Sequence, residues 1–286
     1  MENKLLVFQT DFTYKEGAVC AMYGVVKSVD RTLDITDGTH EIYQYDTWSA
    51  SYRLYQSMKF WPIGTVFVSV VDPGVGTARR ACVAETIDGY YIVTPDNGTL
   101  THVAKYMGIK EVRQIDESIN RLKGKDTEDV AIFHGRDLFS YCAARLAANV
   151  ITYQQVGPIY PIDEIVKHDI LEATISNNKV QGIIEIDDPN FGNLWTNIYT
   201  KDFNKAGFKY GDIINVLIEY QGKQIFNKNV MFHQSFGFVA KGEPIIYNNE
   251  LMKIALAVSM GNFAETYNVH FNSDYVITFS KEKNNE

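Results

Sequence analysis

Residues 64–80, GTVFVSVVDPGVGTARR, begin as a buried strand and end on two arginines. The first half is a continuous β-branched and aromatic run, which is typical of a strand covered on both faces, as in parallel sheets flanked by helices. The second half places Asp72, a proline and two glycines ahead of Arg79 and Arg80. Two interpretations are open: a surface turn with an incidental ion pair, or a site for an anion or a water molecule.

The sequence on either side of this stretch alternates between strand and helix patterns. Apolar runs at 4–12 and 32–37 predict strands, and 82–98 predicts two strands around an Asp-Gly turn. A compact, mostly apolar run predicts a buried helix over 17–29, and helical spacing predicts helices over 44–61 and 133–150. We therefore predict an α/β N-terminal domain, residues 1–160, with a mostly parallel sheet flanked by helices.

The pattern changes after about residue 170. Short β-rich runs broken by Gly, Asn and Asp replace the helical patterns, as in "KVQGIIEIDD" and "EPIIYNNELMKIALAVSM". These runs predict a smaller, mainly antiparallel, β-barrel-like C-terminal domain over 170–286. The joint is expected within 152–169, where two prolines and a glycine interrupt both patterns.

Composition narrows the class of protein. The 286 residues carry a net charge of −8, which argues against a nucleic-acid-binding protein. No apolar run approaches the roughly 18 residues that span a membrane, and the N-terminus lacks the features of a signal peptide. Three cysteines without a CxxC spacing predict buried thiols in a reducing compartment. We expect a cytoplasmic protein.

Three polar residues mark the ends of predicted strands. Asp11 ends the first strand, Asp72 ends the third, and His134 opens a helix after "VAIF" (130–133). Each has an ordinary structural alternative as a cap or a turn residue. Ligands of open α/β sheets bind beyond the carboxyl ends of the strands, so the convergence of all three favours a site.

The loop after Asp72 suits close approach by a ligand. Proline fixes the backbone after the aspartate, and the glycines remove side-chain obstruction. Arg79 or Arg80 can pair with the carboxylate, and a neighbouring guanidinium favours the ionised form of a carboxylate. With His134 added, the set can orient and deprotonate one water molecule.

Five stretches carry a resemblance to a known family: "FQTDF", "VDPGVGTARR", "PDNGTL", "FHGRD" and "FGNLWTNI". In order and spacing the chain resembles the S-adenosyl-L-methionine (SAM) hydroxide adenosyltransferases, or adenosine-forming SAM hydrolases, relatives of the bacterial fluorinase and chlorinase. The resemblance implies that a nucleophile attacks C5′ of SAM and expels methionine, with SAM as the substrate and neither cofactor nor metal. It also implies a homotrimer that holds SAM between the N-domain of one subunit and the C-domain of the next.

The resemblance assigns the activation of water to Asp72, Arg79 and His134. Halogenating relatives carry other residues at the aspartate and histidine positions, and a hydroxyl-bearing residue where Gly135 stands. Water is therefore favoured over halide as the nucleophile. Two alternatives stay open: a SAM- or adenosine-binding protein with negligible turnover, and a SAM-dependent halogenase.

The resemblance also implies a set of substrate contacts. Those in the N-terminal domain are Asp11 for the ribose hydroxyls, and Tyr45 and Phe133 beside the nucleoside. Those in the C-terminal domain are Asp188 and Asn193 for the methionine amino group, Trp195 beside the methionine tail, Phe236 stacked on adenine, and Ser259 and Asn262 at the purine edge. Glu250 falls in the stretch that binds the methionine carboxylate.

Four positions depart from the family pattern. Thr13 replaces a glycine, Glu16 an aspartate, Tyr23 a lysine, and Glu250 a small hydroxyl residue. The carboxylate of Glu250 would repel the carboxylate of the substrate. His40 has two open interpretations: a residue behind the site, or a satisfied surface histidine.

Overall fold

The computed structural model describes residues 4–124 and 132–281. The chain divides into two compact units, Met1–His168 and Asp169–Glu286. The division falls inside the stretch where the sequence predicts the joint. No described helix combines the length and the apolar character that a membrane crossing needs.

The first unit contains a six-stranded sheet in the order β2-β1-β3-β5-β4-β6. β1 is parallel to β2 and β3, and β3 is parallel to β5, whereas β4 is antiparallel to both of its neighbours. The predicted mostly parallel sheet is thus confirmed. The strands are β1 Leu5–Thr10, β2 Asp34–Thr39, β3 Val66–Val70, β4 Ala81–Thr86, β5 Tyr91–Pro95 and β6 Ile109–Gln114.

Helices cover this sheet. Every residue of β3 is buried, and both α2 and α5 pack against it, as expected for a strand covered on both faces. Asp46 caps α2 by accepting a hydrogen bond from the Ser49 backbone N–H. The helices are α1 Ala18–Val29, α2 Thr47–Met58, α3 Thr101–Tyr106, α4 Glu117–Asn120, and α5 Tyr141–Ala147, which continues a π-helix, Gly135–Ser140.

The second unit is a closed barrel of seven strands. The order is β14-β10-β11-β12-β13-β9-β8, and pairing of β14 with β8 closes it, while β7 adds to β8. Neighbouring strands are antiparallel except β11 and β12, which are parallel. The predicted barrel is confirmed. Its strands are β7 Thr174–Ser176, β8 Lys179–Asp188, β9 Asn193–Tyr199, β10 Ile213–Tyr220, β11 Lys223–Phe232, β12 Pro244–Asn248, β13 Lys253–Val258 and β14 Asn272–Ser280.

Alternate residues of the barrel strands fill its interior. Ile214, Val216 and Ile218 of β10 belong to one buried apolar cluster, which also takes in Ile254 and Leu256 of β13. This spacing of two is the pattern of a sheet with one face inward. Two short helices, α6 Thr200–Lys205 and α7 Phe263–Tyr267, and a 3₁₀ turn, Phe236–Phe238, connect the strands.

The prediction of three buried thiols is wrong for one of them. Cys82 and Cys142 are buried, whereas Cys20 is exposed. Cys20 lies on α1, whose buried face consists of Val19, Met22, Val25 and Val26. Apolar residues elsewhere in the helix supply that face, so position 20 points away from the sheet.

Gly157 provides a test of the packing against the end of β6. A Cβ atom at Gly157 would lie 2.1 Å from the backbone oxygen of Gln114, which is itself held in the sheet. We expect Gly157→Ala to lower the free energy of unfolding by about 1–3 kcal/mol, because backbone must move. Denaturant unfolding of the whole chain measures this change in the free energy of unfolding.

The matched control is Gly24→Ala, which lies inside α1 with open space around the new methyl group. This change should raise stability by about 0.5–1 kcal/mol, because alanine is the better helix former. Equal effects of the two substitutions would contradict the packing argument.

Candidate active site

Asp11 and Asp72 leave the sheet at the same edge. β1 and β3 are adjacent and parallel, with Thr10 opposite Val70, and each aspartate follows the end of its strand. Burial raises the pKa of Asp11, and the negative charge of Asp72 is close enough to add to that rise. The topology therefore brings the two carboxylates to one edge of the sheet, where the sequence predicted that strand ends would converge.

The loop after β3 folds Arg79 back onto Asp72. The Arg79 Nε atom donates to Asp72 Oδ1 at 2.9 Å and Oδ2 at 3.1 Å, and Arg79 Nη2 also donates to Oδ2. Only 10% of the Arg79 side chain and 5% of the Asp72 side chain are exposed. Gly74 lies under this arrangement, because a Cβ there would meet Arg79 Cγ at 3.3 Å. The conformation of the loop therefore holds the Asp72–Arg79 ion pair in place.

Asn97 supports the strand end from the neighbouring loop. Its Nδ2 atom donates to the backbone oxygen of Val71 at 2.9 Å, immediately before Asp72. The adjacent Asp96 accepts hydrogen bonds from the Tyr160 hydroxyl and the Val166 backbone N–H. The "PDNG" stretch is thus a structural turn behind the candidate site.

His134 completes a connected set with Arg79. The Nη2 atom of Arg79 lies 2.8 Å from His134 Nδ1. A guanidinium group only donates hydrogen bonds, so Nδ1 accepts and the proton of the neutral ring is on Nε2. Burial lowers the pKa of His134, and the positive charges of Arg79 and Arg121 lower it further. The imidazole is therefore neutral at pH 7.

A π-helix follows His134, where the sequence predicted an ordinary helix. The Ser140 hydroxyl donates to the Gly135 backbone oxygen five residues earlier, at 2.7 Å. His134 immediately precedes this turn, and Phe139 within it lies under the Arg79 guanidinium, 5.2 Å from ring centroid to Cζ. Single π-turns are frequent at functional sites. Val130 and Ala131 of the apolar run before His134 lie outside the described residues.

A pocket of about 550 Å³ opens beside this set. Asp11 lines it, and its Oδ2 atom accepts a hydrogen bond from the Tyr45 backbone N–H at 2.9 Å. Burial raises the pKa of Asp11 in spite of that hydrogen bond. The pocket is lined by Asp11, Phe12, Glu16, Ala18, Gln44, Tyr45, Asp72, Ile132 and Phe133.

Two aromatic residues predicted to contact the nucleoside also line the pocket. Tyr45 is 63% exposed and has a positive φ of 66°, which turns the chain so that its N–H faces Asp11. Phe133 packs edge-on against Phe12, with ring centroids 6.3 Å apart. The first unit thus brings together all six of its predicted site residues.

The remaining predicted residues lie in the second unit. Asp188 ends β8 and Asn193 begins β9, and their side chains are 3.5 Å apart, at the limit of a hydrogen bond. Hydrogen bonds from the backbone N–H groups of Phe191 and Gly192 to the backbone oxygen of Asp188 close the turn between these strands. This hairpin holds the two side chains next to each other.

Tyr247 links several of these residues, and sequence analysis missed it. Its hydroxyl oxygen accepts a hydrogen bond from Trp195 Nε1 at 3.1 Å, and its ring lies 5.0 Å from that of Phe236. Ser259 Oγ is 3.4 Å from the backbone oxygen of Phe236. Burial raises the pKa of Tyr247, and the charges of Asp188 and Glu250 add to that effect. The only feature of the sequence that could have pointed to Tyr247 is a tyrosine within the apolar run "PIIYN" (244–248).

Asn262 and Glu250 lie outside the strands of the barrel. The Asn262 side chain caps α7 by accepting from the Glu265 backbone N–H at 2.9 Å. It also fills the space beside Gly192, where a Cβ would lie only 1.8 Å from Asn262 Oδ1. Glu250 is exposed in the turn between β12 and β13. The cap gives Asn262 a structural role, and its predicted contact with the purine stays a prediction.

Several known proteins are similar to this chain over most of its length. A curated (R)-S-adenosyl-L-methionine hydrolase of Methanocaldococcus jannaschii is 35% identical over 222 residues, 76% of this chain and 74% of that protein. A fluorinase of an Actinoplanes species is 28% identical over 93% of this chain and 95% of its own. A crystal structure of an uncharacterized conserved protein from Thermotoga maritima matches with a TM-score of 0.85 and 30% identity, over 97% of this chain and all of that one.

Family models match both units of the chain. The SAM hydroxide adenosyltransferase N-terminal domain matches residues 6–157, which include Asp11, Asp72, Arg79 and His134. The C-terminal domain of the same family matches residues 181–276. The chain therefore belongs to the SAM hydroxide adenosyltransferase family.

Proposed function

We propose that this protein is an enzyme that hydrolyses SAM to adenosine and L-methionine by attack of water at C5′ of the ribose. One observation carries the proposal: Asp72, Arg79 and His134 form a single hydrogen-bonded set at the end of β3, beside a pocket that Asp11 also lines. The family and the relatives named as SAM hydrolases support the choice of substrate.

The reaction makes few chemical demands on the protein. The water oxygen forms a bond to C5′, the C5′–S bond breaks with its electron pair going to sulfur, and one proton is released. Because the sulfonium leaves as a neutral thioether, the leaving group needs no acid. The protein therefore has two tasks: to align the nucleophile and to remove its proton. SAM is the substrate, and the proposal invokes no cofactor.

The hydrogen bonds within the set indicate a different role for Asp72 and for His134. Arg79 occupies His134 Nδ1, and Nε2 carries the proton, so the ring as arranged has no free position to act as a base. A carboxylate has about four acceptor positions, which leaves Asp72 able to accept from a water in the pocket that it lines. We assign the orientation and deprotonation of water to Asp72, and the positioning of Arg79 to His134.

Asp11 is suited to the ribose. A carboxylate that accepts from both hydroxyls of a vicinal diol makes two charge-assisted hydrogen bonds. Burial raises the pKa of Asp11 and so disfavours its ionised form, and hydroxyl donors from the ribose would favour that form. Tyr45 and Phe133 supply aromatic surface for the nucleoside in the same pocket.

In the second unit, Phe236 is 42% exposed, and we propose that its ring stacks on adenine. Asp188 and Asn193 would bind the methionine amino group, beside Trp195. Glu250 would disfavour the methionine carboxylate and so weaken binding at that end. We extend the proposal to a cytoplasmic homotrimer, as the family resemblance implies; the mass of the assembly in solution tests the trimer.

The surroundings of Gly135 favour water over halide. A Cβ there would meet Phe12 Cε2 at 3.3 Å and Met22 Sδ at 3.5 Å, so a hydroxyl-bearing side chain would require the Phe12 ring to move. A direct experiment is to incubate the protein with SAM in chloride-free and chloride-containing buffers. Equal amounts of adenosine and methionine in both are expected. A halogenated nucleoside would show a halogenase, and unchanged but bound SAM would show a binding protein.

Asp72→Asn tests the assigned base. The amide keeps the shape of the side chain but cannot take a proton, and its NH₂ group faces the Arg79 donors, so we expect kcat to fall by about 10²- to 10⁴-fold. Steady-state release of adenosine measures kcat, and calorimetry with adenosine checks that binding persists.

Glu164→Gln is the control for Asp72→Asn. It removes the partner of the neighbouring Arg80, a 2.6 Å exposed ion pair, and should leave kcat unchanged. Full turnover of Asp72→Asn would remove the aspartate from the mechanism.

The lowered pKa of His134 predicts the acid side of the pH profile. Protonated Nδ1 can no longer accept from Arg79, so kcat should fall as the pH drops through the pKa of His134, which lies below its usual 6.5. Above that pH the ring is neutral and the effect is absent. His134→Asn supplies an oxygen acceptor that does not titrate, so its acid limb should move to lower pH. An unchanged limb in this variant would contradict the role of His134.

A further inference from the structure

The proposed mechanism gives no role to a polar cluster of the first unit that surrounds a buried histidine. It lies behind the loop that carries Asp11 and is centred on His40, which is 1% exposed; the alternative of a surface histidine is therefore wrong. Side chains from two strands, a helix and a loop of the first unit contact the ring. They are Thr10 of β1, Tyr14 of the loop after it, Tyr23 of α1 and Asp37 of β2.

His40 holds the chain on both sides of Asp11. Its Nδ1 atom lies 2.8 Å from Thr10 Oγ1, which in turn accepts a hydrogen bond from the Phe12 backbone N–H at 3.1 Å. Asp11 is thus the middle residue of a turn that the Thr10 hydroxyl closes. On the other side, the His40 backbone oxygen accepts from the Thr13 backbone N–H at 2.8 Å.

One assignment of protons satisfies every contact in the cluster. The hydroxyls of Tyr14 and Tyr23 donate to the Asp37 carboxylate. His40 Nε2, at 2.9 Å from the Tyr23 oxygen and 3.2 Å from Asp37, then carries the ring proton. Nδ1 is left to accept from Thr10, whose oxygen remains open to the Phe12 N–H. The ring orientation is therefore fixed by Asp37 and Tyr23.

The loop requires such support, because its backbone is strained. Thr13 has a φ of 57°, a left-handed conformation that is unfavourable for a β-branched residue. The family pattern has glycine at this position, which adopts that conformation without strain. Here the strained conformation is held by the hydrogen bond from Thr13 to His40 and by one from the Lys15 backbone N–H to Thr13 Oγ1 at 3.2 Å.

We propose that His40, oriented by Asp37 and Tyr23, is a positioning residue that fixes the carboxylate of Asp11 for the ribose hydroxyls of the substrate. The inference deepens the proposed function and rests on it for the role of Asp11. His40 acts through Thr10 and does not itself line the pocket. Replacing the His40 ring should therefore weaken the binding of the ribose hydroxyls, while the protein still folds.

The test compares two ligands, adenosine and 2′-deoxyadenosine, by calorimetry. In the unaltered protein the 2′-hydroxyl should tighten binding by about tenfold or more, as expected for a hydrogen bond to a charged group. His40→Gln places an amide near the position of Nε2 but removes Nδ1, the acceptor of the Thr10 hydroxyl. We expect the ratio of the two Kd values to fall to about threefold or less. His40→Asn, whose amide lies near the position of Nδ1, should retain a larger ratio than His40→Gln.

The matched control is His102→Gln. His102 is a fully buried histidine of the same unit whose Nδ1 contacts Ser51 Oγ at 3.0 Å, so its loss perturbs the fold without touching the Asp11 loop. Its ratio of Kd values should equal that of the unaltered protein. A second pair, Thr10→Val and Thr10→Ser, removes or keeps the hydroxyl and should give a low and a high ratio. This pair decides the question if His40→Gln fails to fold.

Each outcome bears on the inference. An unchanged ratio in both His40→Gln and Thr10→Val would overturn it, as would an equal fall in His102→Gln. A protein that does not distinguish the two nucleosides would overturn it as well, because Asp11 would then not bind the diol. If the protein distinguishes the two nucleosides but releases no adenosine from SAM, the role of His40 stands and the proposed function is contradicted.

Discussion

The paired hydrogen bonds between Arg79 and Asp72 are the constraint on which the site depends. They join the end of β3 to the far end of its own loop, and through Arg79 they reach His134 in another part of the chain. An arginine fork fixes a carboxylate in plane as well as in distance. Because both side chains are nearly buried, removing either one leaves an unpaired charge beside the reacting atoms.

The fold supplies the rest by placing strand ends. Two adjacent parallel strands deliver Asp72 and Asp11 to one edge, and a π-turn sets His134 and Phe139 against the same guanidinium. The supports for Asp11 come from the loops around it. A hydroxyl, an imidazole and a left-handed threonine hold that segment. The left-handed backbone of Thr13 is strain that these contacts hold in place beside Asp11.

Sequence patterns predicted the α/β sheet, the barrel and the convergence of Asp11, Asp72 and His134, because strand periodicity and parallel order decide where strand ends lie. They did not predict the π-turn, since a hydrogen bond shifted from four to five residues has no pattern of its own in "GRDLFS". They also missed Tyr247 and left the location of His40 open. The roles of both come from partners distant in sequence, such as Trp195 and Thr10.

The fate of the water oxygen tests the central claim most directly. Hydrolysis of SAM in water enriched in oxygen-18, followed by mass spectrometry of the nucleoside, reports which bond the nucleophile forms. Attack at C5′ by a water that Asp72 orients predicts adenosine that carries one heavy oxygen as its 5′-hydroxyl, with none in methionine. Adenosine without the label, or label in methionine, would contradict the account.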